Sequence, residues 1–286
     1  MTPTDLVDLH LHSSCSDGSD TPAELVRTAF DHGCRSIALT DHDTLSGLGQ
    51  ASEQARALNM QLISGVEISI PFQQRTMHLL VYLNDGAHEA LEEHLRVLQT
   101  GRRERNRAIA KAMASDGIPI TYEQVVVQAG SEEGLGRPHF AATLVNLGVA
   151  DTIDDAFDRF LATGRPYDLA RKSLTLDEAL ELVRASHAIS VVAHPMTLGY
   201  TTTTLGSIAT ELRERGVDGL EVYYSRYRPE IRLELEAIAR AAGLLATGGS
   251  DYHGTYKIGL KPGVGEGDLR VPLRCFTDLS DELSRR

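Results

Sequence analysis

Asp8-Leu9-His10-Leu11-His12-Ser13-Ser14-Cys15-Ser16-Asp17 is the stretch from which both fold and chemistry can be read. From residue 6 to residue 12 apolar and polar side chains alternate strictly. In a strand, Val7, Leu9 and Leu11 therefore share one face, and Asp8, His10 and His12 share the other. Two imidazoles point the same way, and a polar turn delivers Asp17 just after them. Neutral imidazole is the commonest side-chain metal ligand and carboxylate the next hard donor, so the pattern suggests a site rather than a core. His-x-His alone is weak evidence, and a partly exposed strand with two incidental histidines explains it equally well unless residues downstream answer it.

Working outward, Thr21-Pro22-Ala23-Glu24 is a capping box with proline at the first helical position, and Leu25, Val26, Ala29 and Phe30 follow at helical spacing up to Gly33. Residues 37–42 read as a second strand that ends in His42, and Leu48, Ala51, Ala55 and Leu58 mark the next helix. A third strand, 62–69, carries the lone carboxylate Glu67 inside an apolar run, and a fourth, 77–82, carries His78. An unpaired buried carboxylate is expensive, so Glu67 calls for a cation.

From about Asp85 the pattern turns helical, with stripes at Leu91, Leu95 and Leu98, then Phe140, Leu144 and Leu147, then Ile153, Ala156 and Phe160. Within it, Arg102, Arg103, Arg105 and Arg107 are expected to form a solvated helix face with Glu104. Strand-helix alternation resumes near Tyr167. Thr175-Leu176-Asp177-Glu178 is a second capping box; a strand over 189–193 ends in His194, another covers 219–223, and 244–253 closes the series with Asp251 and His253 on one side. The glycine-rich tail carries no readable pattern. The division expected is a barrel of residues 1–84 and 167–286, with a helical insert over 85–166 that contributes to a substrate pocket.

With 286 residues and 42% hydrophobic content the chain can bury a sizeable core. A net charge of -12 disfavours a long nucleic-acid track, although carboxylates that hold divalent cations count in that sum while the cations do not. Cys15, Cys34 and Cys275 form no Cys-x-x-Cys pair, which argues against a disulfide framework and a thiolate zinc site. No apolar run reaches the length of a membrane span and no signal pattern opens the chain, so a cytoplasmic protein without a membrane partner is expected.

Alternating strands and helices imply parallel strands, and in parallel barrels the chemistry lies at their C-terminal ends. His10, His12, His42, Glu67, His78, His194, Asp251 and His253 all fall near such ends, with Asp17 in the first loop; six of the eleven histidines thus occupy equivalent places in different strands. Nitrogen and oxygen donors without sulfur suit zinc, manganese or iron.

The whole pattern, opening on His-x-His and ending on Asp-x-His, resembles the polymerase and histidinol phosphatase (PHP) family over residues 1–84 and 167–260. That resemblance implies an α/β fold, a distorted (β/α)7 barrel, with a trinuclear metal centre. One ion would be held by His10, His12, Glu67 and Asp251, a second by Glu67, His78 and His194, and a third by Asp17, His42 and His253. The expected cofactors are divalent ions, two or three per chain, manganese first and zinc or iron as alternatives, with Glu67, His194 and Asp251 at the catalytic centre.

Gly136-Arg137-Pro138-His139-Phe140-Ala141, together with Gly164-Arg165-Pro166-Tyr167 and Ala193-His194-Pro195, resembles the stand-alone branch of that family. The reaction implied is removal of the 3'-phosphate from nucleoside 3',5'-bisphosphates by a metal-bridging hydroxide. Where that branch often has an aromatic residue, this chain has Arg171-Lys172. Substrate contacts are expected from Arg137, His139, Lys172, Ser225 and Arg226, and Tyr223 or Tyr224 is a candidate to stack on a base. The partner is then a small nucleotide or a short oligonucleotide. The rivals are a 5'-3' exonuclease on short 5'-phosphorylated RNA, a histidinol phosphatase, and a non-catalytic metal-loaded binding module.

Overall fold

The computed structural model describes residues 5–84 and 88–286, and the junction expected at Asp85 lies outside them. Seven strands form one sheet in sequential order: β1 Leu6–Leu11, β2 Cys34–Leu39, β3 Gln61–Phe72, β4 Arg75–Leu83, β5 Ile189–Val192, β6 Gly219–Tyr224 and β7 Leu245–Gly249. Helices α1 Pro22–Asp31 and α2 Leu48–Ala57 connect β1 to β2 and β2 to β3, while α7 Leu176–Ala185, α8 Thr202–Arg215 and α9 Pro229–Ala242 lead into β5, β6 and β7. The capping boxes start α1 and α7 as read: Thr21 accepts from the Glu24 N–H while Glu24 accepts from the Thr21 N–H at 2.9 Å, and Thr175 and Glu178 repeat the exchange.

The strands are not all parallel. β3 and β4 pair antiparallel, β4 and β5 pair antiparallel, and the other neighbours are parallel. Only Gln73 and Gln74 separate β3 from β4, too short a link for a parallel crossover, and Gln73 turns the hairpin with φ 53°. The reversal brings His78, early in β4, to the same barrel end as Glu67, late in β3, with His78 paired to Ser69.

β7 returns to β1 and closes a distorted barrel. Asp251 donates its N–H to His10 O at 2.9 Å and His12 donates to Tyr252 O at 3.1 Å. Asp8 reinforces the seam from its side chain, accepting from the N–H groups of Ser250 at 2.9 Å and Gly263 at 2.7 Å. The approach is close enough that a Cβ on Gly249 would lie 2.5 Å from His10 N, so only glycine fits there.

Between β4 and β5 stands a helical body: α3 Glu89–Ser115, α4 Tyr122–Ala129, α5 Arg137–Asn146 and α6 Ile153–Ala156, the last continued by a π turn over Phe157–Leu161. It has its own core, built on Ile109, Met113, Val125, Phe140, Leu144 and Leu161. Tyr167 packs into that core and donates its hydroxyl to Asp116 at 2.8 Å.

The tail is more ordered than its composition suggests. A tenth helix, α10 Leu273–Leu283, buries Cys275, Phe276, Leu279 and Leu283 against the barrel core. Arg286 then bonds Asp218 and the Ala188 carbonyl, both at 2.6 Å, just before β6 and β5 begin and so at the opposite end from the histidines. Cys15, Cys34 and Cys275 are free thiols, and no helix among the described residues is long and apolar enough to cross a membrane.

Replacing Asp8 by alanine leaves several buried N–H groups at the seam without an acceptor. The variant is expected to lose about 3 kcal/mol of unfolding free energy in urea titrations; a loss near zero would show that the seam does not depend on this side chain.

Candidate metal centre

Every strand except β6 carries or leads to a donor. β1 presents His10 and leads to His12, and the loop after it carries Asp17, held by Asp41, which accepts from the Ser13 N–H at 2.7 Å and from the Ser13 and Ser16 hydroxyls at 2.6 Å. Past β2, residues 41–43 continue the pairing with β3: Glu67 donates its N–H to Asp41 O and Asp43 donates to Glu67 O, which sets His42 beside Glu67. β4 adds His78, the chain after β5 adds His194, and the chain after β7 adds Asp251 and His253. All nine residues expected as donors therefore come together, in four overlapping groups within each of which the ligand atoms lie within 4.8 Å of one another: His12, Asp17, His42 and His253; His10, Glu67 and His194; His10, His12 and Asp251; and His42, Glu67 and His78.

The distances suit cations better than direct bonds. His10 Nε2 is 3.1 Å from His12 Nε2, both lie 3.1–3.3 Å from Glu67 Oε2, and both lie 3.4–3.5 Å from Asp251 Oδ1. Nitrogen and oxygen atoms 3.1–3.5 Å apart are at the spacing of neighbouring ligands on one ion with bonds of about 2.0–2.2 Å. Glu67 Oε1 turns the other way, to His78 Nδ1 at 2.9 Å and His194 Nε2 at 3.2 Å. Asp17 faces His253 Nε2 at 3.2 Å, with His42 and His12 at 3.8 Å.

Second partners fix several tautomers. His10 Nδ1 lies 2.9 Å from the Glu221 carboxylate and His253 Nδ1 lies 2.9 Å from the Asp251 carbonyl; both partners only accept, so each Nδ1 carries the proton. Thr197 donates its hydroxyl to His194 O at 2.8 Å and so accepts from His194 Nδ1 at 3.1 Å. In all three rings Nε2 is left with a bare lone pair aimed at a carboxylate or at another imidazole, a repulsive arrangement that a cation turns into ligation. The buried Nδ1 atoms of His12 and His42 find no hydrogen-bond partner among the described residues, as expected of ligands.

Protonation states agree. Burial, with His253 close by, lowers His12 to about 4, and burial also pushes His42 and His78 below the usual histidine value. Burial opposes ionisation of Glu67 and Asp17, yet the surrounding histidines hold both well below the usual carboxylate range, as Lys257 and His10 do for Asp251. At His12, His42 and His78 anionic oxygens thus face neutral imidazoles, the form that binds metal; at His10 burial is outweighed by the carboxylates of Glu221, Glu67 and Asp251, which raise it well above the usual histidine value, so there a cation has to displace a proton.

A supporting layer went unread in the sequence. Glu221 accepts the His194 N–H at 2.6 Å in addition to holding His10, and Tyr224 donates to Asp251 Oδ2 at 2.9 Å, where Lys257 also bonds. Glu221 carries the same signal that singled out Glu67, a lone carboxylate in an apolar strand. His194 and Asp251 have positive φ, 29° and 55°, as does Asp43 at 57°; non-glycine residues rarely adopt that conformation, and here neighbouring bonds hold it. The insert meets the metal loop directly. A Cβ on Gly134 would fall 2.5 Å from Ser14 O and 2.6 Å from Ser16 O, so no side chain fits between insert and loop.

The expected substrate contacts fare differently. Arg137 lines the cleft, bonding Leu161 O and pairing with Asp168 at 3.3 Å. His139 is buried inside the insert, where its Nδ1 accepts the Gly136 N–H at 2.9 Å at the start of α5, and it does not line the cleft. Lys172 lies against Gly101 in an outer groove with Glu93 and Glu104. Ser225 is buried beneath Gly265, Arg226 is exposed and off the cleft wall, and Tyr223 and Tyr224 are buried with their hydroxyls engaged by Arg274 and Asp251, which removes both from base stacking.

Two arginines of α3, Arg102 and Arg105, line the cleft. Arg102 is buried, not solvated, and donates Nε and Nη2 to Asp43 at 3.1 and 2.6 Å; Arg171 bonds the same oxygen. Arg105 has no carboxylate partner among the described residues and bonds only its neighbour Asn106. Burial and the nearby Arg102, Arg171 and Arg137 press it well below the usual arginine range. With Lys257 and Phe157, these four guanidinium groups wall a cavity of about 190 Å³ that also touches Asp17, His42, His78 and His253. Guanidinium does not shed its proton in water, so four such groups offset by only two carboxylates, Asp43 and Asp168, leave a surface that favours an anion.

Comparison with known proteins gives the same class of answer. A model of the PHP domain matches residues 8–134. The chain is 32% identical to the 5'-3' exoribonuclease Rnm of Salmonella typhimurium over 87% of its length and 85% of that protein's. It is 29% identical to the 3',5'-nucleoside bisphosphate phosphatase of Chromobacterium violaceum over 86% and 87%. A solved structure from Bifidobacterium adolescentis, assigned as a metal-dependent phosphoesterase, superposes with a TM-score of 0.85 at 29% identity, covering 98% of this chain and 97% of that one.

Loss of the carboxylate behind His10 is expected to loosen the ion that His10 faces. A Glu221→Ala variant should bind divalent metal about tenfold to a hundredfold more weakly in competition with a chromophoric chelator; unchanged affinity at every site would take Glu221 out of the supporting layer.

Proposed function

As the chain belongs to the PHP-domain family and is a metal-dependent phosphoesterase, we propose that it removes the 3'-phosphate from nucleoside 3',5'-bisphosphates, for example adenosine 3',5'-bisphosphate to AMP and phosphate. The observation that carries this reading is the wall of four guanidinium groups next to the metal donors, in one cavity with them. A substrate with two phosphates set apart by a ribose matches two anion-binding surfaces set apart in one cleft.

The residues divide accordingly. His10, His12, Glu67 and Asp251 would hold one divalent ion, Glu67, His78 and His194 a second, and Asp17, His42 and His253 a third, with manganese the first choice and zinc or iron the alternatives. Bound there, such ions supply Lewis acidity, lowering the pKa of a coordinated water and neutralising phosphoryl oxygens. The protein's part is positional. Glu221, Thr197 and the Asp251 carbonyl keep three imidazoles in the ligating tautomer, and burial keeps competing water from the carboxylates. Arg105 and Arg137, with Arg102 and Arg171 braced on Asp43, would grip the 5'-phosphate, and Pro138 and Phe157 offer an apolar wall for the sugar or base.

A second reading uses the same seat. Short RNA with a 5'-phosphate would place its first phosphodiester at the metal donors, and the exoribonuclease relative favours this. Histidinol phosphate fits poorly, since its cationic amine would meet guanidinium groups. Steady-state comparison of adenosine 3',5'-bisphosphate with 5'-phosphorylated di- and trinucleotides separates the first two activities.

Arg105→Ala is expected to lower kcat/KM for the bisphosphate about a hundredfold while leaving hydrolysis of a nucleoside 3'-monophosphate nearly unchanged. Equal losses on both substrates would mean that the guanidinium wall does not read the 5'-phosphate.

A further inference from the structure

The guanidinium wall has a second side. Behind it lies another cavity, of about 270 Å³, that touches none of the nine metal-donor residues and runs outward along the β3–β4 hairpin past Pro71, Gln74, Arg75 and Thr76. Ser69, Arg105, Arg137 and Arg171 line both cavities, so the outer one opens from the anion seat itself. Its charge is lopsided: Arg75, Arg105, Arg137 and Arg171 line it with one carboxylate, Asp168, and although Asp168 pairs with Arg137 and Asp43 pairs with Arg171 from outside, Arg75 and Arg105 have no acidic partner among the described residues. The exposed Arg75 side chain has no hydrogen bond or ion pair among the described residues, and its guanidinium rests on Gly199, where a Cβ would come within 2.7 Å of Cζ. No aromatic side chain lines this cavity, whereas Phe157 lines the inner one, so the outer space suits an anion and the inner one a base.

We propose that the outer cavity is a subsite for a further phosphoryl group, so that the enzyme also dephosphorylates nucleoside 3'-phosphates whose 5' end carries a diphosphate. The inference rests on the orientation given under the proposed function. With the 3'-phosphate at the metal donors and the 5'-phosphate at the wall, whatever extends from the 5'-phosphate leaves on the side away from the donors, towards Arg75. The reaction is unchanged: the bond between phosphorus and the 3'-oxygen breaks, water supplies the oxygen that joins phosphorus and a proton goes to the 3'-oxygen, giving a nucleoside 5'-diphosphate and phosphate. The anhydride is spared because it lies beyond the wall from the metal donors.

The test sets adenosine 3'-phosphate 5'-diphosphate against adenosine 3',5'-bisphosphate in metal-loaded wild type and in Arg75→Gln. The wild type should use the diphosphate at least as well as the bisphosphate. The variant should lose about tenfold in kcat/KM on the diphosphate alone, the scale of one charge-assisted hydrogen bond. Rejection of the diphosphate by a wild type that turns over the bisphosphate, or an equal loss on both in the variant, overturns the proposal. If neither compound loses its 3'-phosphate, the functional reading itself has failed. Equilibrium binding of ADP and AMP then decides the subsite separately: ADP binds more tightly to wild type and loses that advantage in Arg75→Gln, or the subsite does not exist.

Discussion

One buried carboxylate organises this protein. Glu67 is 1% exposed, and five imidazoles, those of His10, His12, His42, His78 and His194, come within 2.9–3.3 Å of its two oxygens. A charge so placed is tolerable only with compensating charge, and two of those rings, His10 and His194, spend their Nδ1 protons on Glu221 and Thr197 and turn Nε2 towards it. Cations resolve the conflict. The hairpin that reverses β4, the seam between β1 and β7 and the strained backbone at His194 and Asp251 all place donors around that point.

Much of this was legible because metal donors at strand ends leave a mark that survives without the fold: polar residues alternating in an apolar strand, or one polar residue closing it. His10, His12, His42, Glu67, His194 and Asp251 could be found that way. The direction of β4 could not, because two glutamines make the turn in place of the glycine and asparagine that usually announce a hairpin. α10 was readable in principle from the spacing of Cys275, Phe276, Leu279 and Leu283, but the glycine-rich stretch before it obscured the period.

The guanidinium wall was the least legible part. Charged residues on a helix face water unless something distant recruits them, and the recruiter here, Asp43, lies 59 positions from Arg102 and 128 from Arg171. Neighbours in sequence also part company: Arg171 turns in to Asp43 while Lys172 packs outward on Gly101. His139 was singled out for its motif, yet its work is to cap α5 and order Gly136. The insert thus serves both halves of the site, bracing the loop that carries Asp17 through Gly134 and supplying Arg102, Arg105 and Arg137 to the opposite wall.

The most direct measurement of the central claim is a crystal structure of manganese-loaded protein with anomalous data collected at the metal edge. The account expects two or three anomalous peaks in the cleft, each about 2.0–2.3 Å from its nitrogen and oxygen donors and two of them sharing Glu67. A cleft without anomalous peaks, from protein shown by elemental analysis to take up no metal, would contradict it.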